Sequence, residues 1–123
     1  MLKHPRERNE KFLTFIRTLI CVRCKTDFDI HAAHIRYADS WFGKRQTGAG
    51  RKPDDRWAVP LCVVCHVFGQ DAQHTRGEKV WWKTVGVNPI LLSALLFSHF
   101  SVDDREAAIQ AIQRAILITP WSD

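Results

Sequence analysis

Four cysteines in two pairs are the residues with the clearest chemistry in this sequence of 123 residues. Cys21 pairs with Cys24 and Cys62 with Cys65, each with the spacing Cys-x-x-Cys. At this spacing two sulfurs project from one tight turn, so two such turns can supply the four thiolates of a tetrahedral zinc site. A redox dithiol also uses this spacing, and buried free thiols are a further alternative. Two pairs with no cysteine left over favour structural zinc.

Histidines beside the cysteine pairs add a second kind of metal-binding and acid–base chemistry. If the two pairs share one zinc, the helix that starts at the second pair is fixed beside the strands, so His34 and His66 can face one another. His74 lies eight residues beyond His66. On a helix that spacing returns to roughly the same side, but about 12 Å of rise separates the two residues. Joint ligation of one ion by His66 and His74 would therefore require the helix to break near Gly69.

The elements that must position these side chains are two strands and several helices, which makes the fold class α+β. Partial alternation predicts a strand over residues 27–36 that pairs with a second strand over residues 57–61, across a glycine-containing loop. Helices are predicted at apolar residues of helical spacing and at capping signals, over residues 5–20, 63–74, 78–85 and 88–97 and from residue 101 onward. In the last of these, the buried face is predicted to hold Ile109, Ile112 and Ile116. The whole chain, residues 1–123, is predicted to form one domain.

The net charge and its distribution along the chain indicate a polyanionic partner. The chain has 18 basic and 13 acidic residues, a net charge of +5. Residues 1–25 alone carry +5 and residues 36–53 carry +4, whereas residues 99–123 carry −2. A basic front half indicates nucleic acid, with improved solubility alone as the alternative. Three basic residues near the predicted strands are candidates to bind DNA phosphates: Arg36, Arg51 and Lys52.

Two further expectations concern location and the loop between the strands. No apolar run is long enough to span a bilayer, and the first residues lack the apolar stretch of a signal peptide. The sequence therefore predicts a cytoplasmic protein with no membrane partner. In the loop, Tyr37, Trp41 and Phe42 are predicted to pack on the core, with stacking on bases as the alternative.

The order of these motifs resembles the HNH (ββα-metal) endonuclease superfamily. Within it, the chain is most similar to small phage- and prophage-type nucleases, including the Ref-type recombination nucleases. The resemblance covers roughly residues 21–92 and rests on the first cysteine pair and residues 33–36, 48–55, 59–66, 74–77 and 81–89. It implies a zinc-stapled ββα-metal core over residues 21–75, wrapped by an N-terminal helix in residues 1–20 and by additional C-terminal helices in residues 76–123.

The resemblance also implies an activity and its residues. The activity is that of a metal-dependent DNA endonuclease or nickase with little sequence specificity, working beside recombination or phage proteins. His34 matches the general base, and His66 matches a ligand of one catalytic divalent ion, Mg²⁺, Mn²⁺ or Zn²⁺, with His74 as a further ligand. Asp55 occupies the position of the family's middle Asn or Asp, where it would bind the metal or brace the loop that carries the base.

Two departures from the family pattern affect the catalytic metal. Many members place a metal-binding Asp directly before the base, where this chain has Ala33, and many have a second helix histidine where it has Gln70. The candidates to complete the metal shell are His31, Asp54 and His74. Because Ala33 cannot bind metal, the alternative function is a non-catalytic, zinc-stabilised nucleic-acid-binding module.

Overall fold

The computed structural model describes residues 6–45, 52–68 and 77–119. The described chain is α+β, with a two-stranded sheet and five α-helices: α1 (Glu10–Arg17), β1 (Ile30–His34), β2 (Ala58–Cys62), α2 (Glu78–Val85), α3 (Pro89–Ser101), α4 (Arg105–Gln113) and α5 (Ala115–Ile118). A 3₁₀ turn (Ser40–Phe42) lies between the strands, and a π-helical turn (Val64–Phe68) follows β2. The predicted α+β class and strand pairing are therefore confirmed.

The first helix is shorter than its predicted range, residues 5–20. The Asn9 side chain caps its N-terminus by accepting a hydrogen bond from the Phe12 N–H at 3.0 Å. Phe12 and Ile16 are fully buried, as the apolar spacing predicts. Helical hydrogen bonding ends at the cap residue Thr18, so the buried Leu19 packs from the segment that leads to the first cysteine pair.

The sheet fixes where the chemically interesting residues lie. The two strands are antiparallel, with Ile30 opposite Cys62 and His34 opposite Ala58. Every residue of β2 is buried, because α1 and α3 both pack against this strand. The second cysteine pair therefore begins at one end of the sheet, whereas His34 ends β1 at the other end.

The segment after β2 differs from the predicted helix over residues 63–74. Directly after Cys62 the chain forms the π-helical turn, whose wider winding is uncommon and often occurs at functional sites. Residues 69–76, which include His74, lie outside the described chain.

The C-terminal helices follow their local capping signals. Gly86, with a φ of +84°, ends α2, and the Asn88 side chain accepts hydrogen bonds from the N–H groups of Ile90 and Leu91 at the start of α3. The next helix was predicted to start at Ser101. Ser101 instead ends α3, and Asp104 caps α4 by accepting from the Ala107 N–H at 3.0 Å.

The predicted buried face of the last helix is wrong at one position. Ile112 is fully buried, but Ile116 is 63% exposed. The helix is interrupted at Arg114, which separates α4 from α5, so the 3.6-residue period no longer carries Ile116 onto the buried side. In the described residues, no single helix is long and apolar enough to cross a membrane; α2 and α3 reach that length and apolarity only together, across a bend of 78°.

Candidate functional site

The first cysteine pair lies in a closed turn directly after α1. The Cys21 N–H donates to the Thr26 carbonyl at 2.8 Å, and the Lys25 N–H donates to the Cys21 carbonyl at 3.0 Å. Lys25 has a φ of +65°, in the left-handed region that closes such turns. The Val22 N–H donates to the Pro60 carbonyl of β2, which brings this turn beside the second pair.

The four cysteine sulfurs form one cluster. Their Sγ atoms all lie within 4.8 Å of one another, and Cys24 Sγ is 3.6 Å from Cys62 Sγ. Four thiolates bound to zinc at about 2.3 Å place their sulfurs about 3.8 Å apart, so the cluster has the spacing of a tetrahedral site. Among the residues that the structure describes, this is the one group of three or more metal-ligating side chains that could hold an ion.

The surroundings of the thiols set their protonation state. Burial raises the pKa of the Cys65 thiol, although the Arg23 guanidinium donates to its Sγ at 3.7 Å. Burial acts in the same direction on the pKa of Cys21, but backbone N–H groups, among them that of Cys24, outweigh it and lower this pKa. A thiol kept neutral by burial ionises when a metal binds, so binding releases protons and becomes stronger as the pH rises.

His34 and Asp55 form the central pair of a second site. His34 Nε2 lies 2.9 Å from Asp55 Oδ1, and the His34 side chain is 15% exposed. An ionised carboxylate only accepts hydrogen bonds, so Nε2 carries the proton and Nδ1 carries the lone pair. In the described part of the chain, no residue hydrogen-bonds to Nδ1. The pair therefore presents a proton-accepting nitrogen.

Asp55 is held by three donors. The Asn9 N–H donates to Oδ2 at 2.7 Å, and Arg6 and His34 both donate to Oδ1. Burial works to raise the pKa of this carboxyl, but these donors together lower it, so Asp55 is ionised at neutral pH. Since both oxygens are engaged, the contacts favour bracing of His34 over metal binding, the two roles that the resemblance implies for Asp55.

The same contacts determine the charge state of His34. Burial lowers its pKa below the ordinary 6.5, the hydrogen bond and charge of Asp55 oppose this, and the cations Arg6 and Lys52 add to the lowering. His34 is therefore neutral at physiological pH, the form in which an imidazole can accept a proton.

Both His34 and His66 line a basic cleft of about 570 Å³. Its basic side chains come from three parts of the chain: Arg6, Arg8, Arg17, Arg36 and Lys52. Arg36 and Lys52 were predicted as phosphate contacts, but the three N-terminal arginines were not. Their sequence signal was the +5 charge of residues 1–25. These arginines reach the cleft only because the N-terminal segment binds the second-strand region, where the Asp55 N–H donates to the Glu7 carbonyl at 3.0 Å.

His66 contacts a different histidine from the predicted one. His31 Nδ1 lies 3.0 Å from His66 Nδ1, and the two rings meet edge to face at 5.2 Å. His31 Nε2 also lies 3.7 Å from Asp29 Oδ1. His34 and His66 both line the cleft.

Of three other predicted residues, the structure describes one. Asp54 accepts from the Glu7 N–H at 2.9 Å, so its carboxylate braces the N-terminal segment. Arg51 and His74 lie outside the described residues. The roles assigned to His34, Asp55 and His66 in catalysis stay predictions.

Replacement of Asp55 by alanine is expected to lower the free energy of unfolding by about 3 kcal/mol, because it leaves Arg6, His34 and the partly buried Asn9 N–H without their shared acceptor. Asp54→Ala is the matched control and is expected to cost about 1 kcal/mol, since that carboxylate accepts one exposed hydrogen bond. Urea unfolding measures both. Equal losses in the two variants would contradict the bracing role of Asp55.

Comparison with known proteins gives one family. The sequence model of the DUF968 family, described as a protein of unknown function, matches residues 1–102. No curated protein and no solved structure matches the chain.

Proposed function

Because the chain belongs to the DUF968 family, whose function is unknown, its own side chains must indicate its role, and we propose that it is a metal-dependent DNA endonuclease or nickase of the HNH type. One observation carries the proposal. A neutral His34, held by the ionised Asp55 and with Nδ1 unpartnered among the described residues, lies in a cleft lined by five basic side chains. A poised base in a polyanion-binding cleft suits phosphodiester hydrolysis.

The order of the elements supports an HNH core. His34 ends β1, β2 pairs with it in antiparallel fashion, and His66 lies in the turn directly after β2. In this proposal residues 21–75 are the ββα-metal unit, and the cysteine cluster holds a structural zinc that joins the end of β2 to the segment after α1. Such a staple suits a chain with a small core.

His34 acts as the general base in the proposed reaction. Its Nδ1 removes a proton from water, and the water oxygen attacks phosphorus. The bond to the 3′ oxygen breaks, and that oxygen leaves with the electron pair and takes a proton from solvent. Asp55 keeps the proton on Nε2 and stabilises the imidazolium that forms, as a carboxylate does for a catalytic histidine. The cleft cations bind phosphates on both sides of the cut, and such contacts carry no base code, so we expect little sequence specificity.

The donors for a catalytic ion are His31 and His66. Two imidazole nitrogens bound to one ion at about 2.0–2.1 Å lie roughly 2.9–3.4 Å apart, and the two Nδ1 atoms are 3.0 Å apart. These residues therefore fit two neighbouring ligand positions, and His31 stands in for the ligand that Ala33 cannot supply. A bound divalent ion supplies Lewis-acid stabilisation of the phosphoryl and leaving oxygens.

The proposal predicts two separable metal sites. Protein carrying one zinc is expected to bind a second divalent ion, Mn²⁺, in a saturable titration followed by calorimetry. His66→Ala is expected to abolish this second event, because it removes one of the two donors, and to leave the zinc content unchanged. His99→Ala, a histidine on α3 that does not line the cleft, is the matched control.

The same titration separates the nuclease from the alternative, a non-catalytic nucleic-acid-binding module. Binding of one zinc and no second ion, together with salt-sensitive DNA binding, would support the module and contradict the nuclease. A second site that survives in His66→Ala would contradict the assignment of the metal to the histidine pair.

The pH dependence of cleavage follows from the direction of the His34 pKa shift. The neutral imidazole is the active form, and its pKa lies below 6.5. The rate is therefore expected to rise with pH around that pKa and to level off above it, and this rise is the acid limb of the profile. Lys52→Gln removes a charge that lowers this pKa, so the limb is expected to move upward. Arg17, which pairs with Glu10 at 3.1 Å, also lines the cleft but is not among the groups named above as shifting the His34 pKa, so Arg17→Gln should weaken DNA binding without moving the limb. Rates at saturating DNA from pH 4.5 to 8 measure both effects, and an unmoved limb in Lys52→Gln would contradict the assignment.

A further inference from the structure

Trp41 is the most exposed large apolar side chain in the described chain, at 88%. Of the three loop aromatics that were predicted to pack on the core, Tyr37 and Phe42 do so, partly buried against it. The prediction is wrong for Trp41, and the cleft chemistry above makes no use of this residue.

The exposure of Trp41 does not come from a loose backbone. The Trp41 N–H donates to Asp39 Oδ1 at 2.9 Å, and Asp39 and Lys44 exchange two backbone hydrogen bonds of 3.0 and 2.9 Å. Gly43 closes the turn with a φ of +67°, which a glycine adopts without strain. The indole therefore projects from a closed, hydrogen-bonded turn.

This turn is anchored to the body of the protein. Lys44 is 3% exposed, and its Nζ donates to the Tyr37 carbonyl at 2.7 Å. At the base of the turn, Glu78 on α2 accepts from the N–H groups of Arg36 and Tyr37, at 2.8 and 3.4 Å. Arg36 also lines the cleft. Five residues of chain span at most about 18 Å, so one bound nucleic acid can contact both the cleft and Trp41.

The surroundings of Trp41 suit a base better than a protein surface. Its exposed neighbours along the turn, Ala38, Ser40 and Gly43, are small or polar, so they add no large apolar surface beside the ring. The basic residues Arg36 and Arg45 flank the turn on either side. An exposed aromatic ring with cations a few residues away along the chain can stack on a base while the cations bind the adjoining phosphates.

We propose that Trp41 stacks on an unpaired base of the nucleic acid whose backbone lies in the cleft. The protein then prefers single-stranded or unpaired DNA to intact duplex. This inference rests on the proposed function, because it requires a nucleic acid in the cleft, and it adds the form of the substrate.

Fluorescence anisotropy with labelled oligonucleotides tests the proposal. Binding is measured in a His34→Ala background, so that no strand is cut, with a single strand, the same strand carrying abasic sites, and a matched duplex. Trp41→Ala is expected to weaken binding of the single strand about 5- to 150-fold, and Trp41→Phe to retain most of the affinity. Binding of the duplex is expected to change less than about twofold, which is small against that loss.

The abasic strand identifies stacking as the cause. For protein with Trp41, the abasic strand is expected to bind more weakly than the normal strand. For Trp41→Ala, the two strands are expected to bind with equal affinity. The proposal would be overturned if Trp41→Ala bound the normal strand as tightly as its parent does. It would also be overturned if the substitution weakened binding of the abasic strand as much as binding of the normal strand. Loss of self-association with unchanged DNA binding would also overturn it, in favour of a protein contact.

Two outcomes separate this inference from the proposed function. If no oligonucleotide binds even at low salt, the proposed function fails and the stacking contact fails with it. If the protein with His34 cleaves DNA while Trp41→Ala binds every oligonucleotide as its parent does, only the stacking contact fails. Thermal unfolding checks the variant, and an unchanged Tm is expected because so little of Trp41 is buried.

Discussion

His34→Ala is expected to lower the rate of DNA cleavage by about 10²- to 10⁴-fold, the usual contribution of a positioned general base. The reason is the loss of Nδ1, the nitrogen that Asp55 keeps available through its contact with Nε2 at 2.9 Å. DNA affinity is expected to change little, since the five basic side chains of the cleft remain. Conversion of supercoiled plasmid measures the rate, and anisotropy measures the affinity.

Two further variants make this result specific to the base. His99→Ala, on α3, is expected to cleave at the wild-type rate. His34→Gln has a neutral amide of similar length that cannot accept a proton from water, so it is expected to be as slow as His34→Ala. Cleavage at the wild-type rate by either His34 variant would contradict the role of His34.

The second large effect is expected from loss of the cysteine-bound metal. Structural zinc in small domains supplies about 10–16 kcal/mol of apparent binding free energy, comparable to the whole stability of a typical domain. Cys24 is the exposed member of the cluster, so Cys24→Ala removes one ligand without leaving a cavity in the core. This variant is expected to lose zinc and its cooperative thermal transition, and a chelator is expected to do the same to the wild type.

Cys24→His provides the matched control. A histidine nitrogen can replace a thiolate in a structural zinc site, so this variant is expected to retain zinc and most of its Tm. Metal content by elemental analysis and thermal unfolding by circular dichroism measure both variants. A wild-type Tm in metal-free Cys24→Ala would contradict a stabilising metal at the cluster.

Features set by local chemistry could be predicted from the sequence. Each Cys-x-x-Cys turn brings its own two sulfurs together locally, and four sulfurs complete one tetrahedral site, so the meeting of the two turns could be predicted. The four Sγ atoms do lie within 4.8 Å of one another. Gly86 and the pair Asn88 and Pro89 mark the end of α2 and the start of α3, because a left-handed C-cap and an N-cap side chain are properties of single residues.

Features set by tertiary packing could not be predicted in the same way. The arginines of the N-terminal segment reach the cleft only because Glu7 and Asn9 hydrogen-bond to the Asp54–Asp55 region, 46 to 47 residues away. His66 lies in the π-helical turn after β2 and meets His31, and nothing in the spacing of the sequence signals that wider winding. Trp41 is exposed, whereas Tyr37 and Phe42 pack on the core, and the composition of the loop does not predict this difference.

The central claim is that the folded, zinc-containing protein cuts DNA when a second divalent ion is present. The most direct measurement is conversion of supercoiled plasmid by protein of known zinc content, in a titration with Mg²⁺ and with Mn²⁺. The account predicts no conversion without added ion, saturable conversion to nicked or linear DNA with one of these ions, and loss of conversion in His34→Ala. Intact plasmid and intact circular single-stranded DNA at every ion concentration, with protein that is folded, zinc-loaded and bound to DNA, would contradict it.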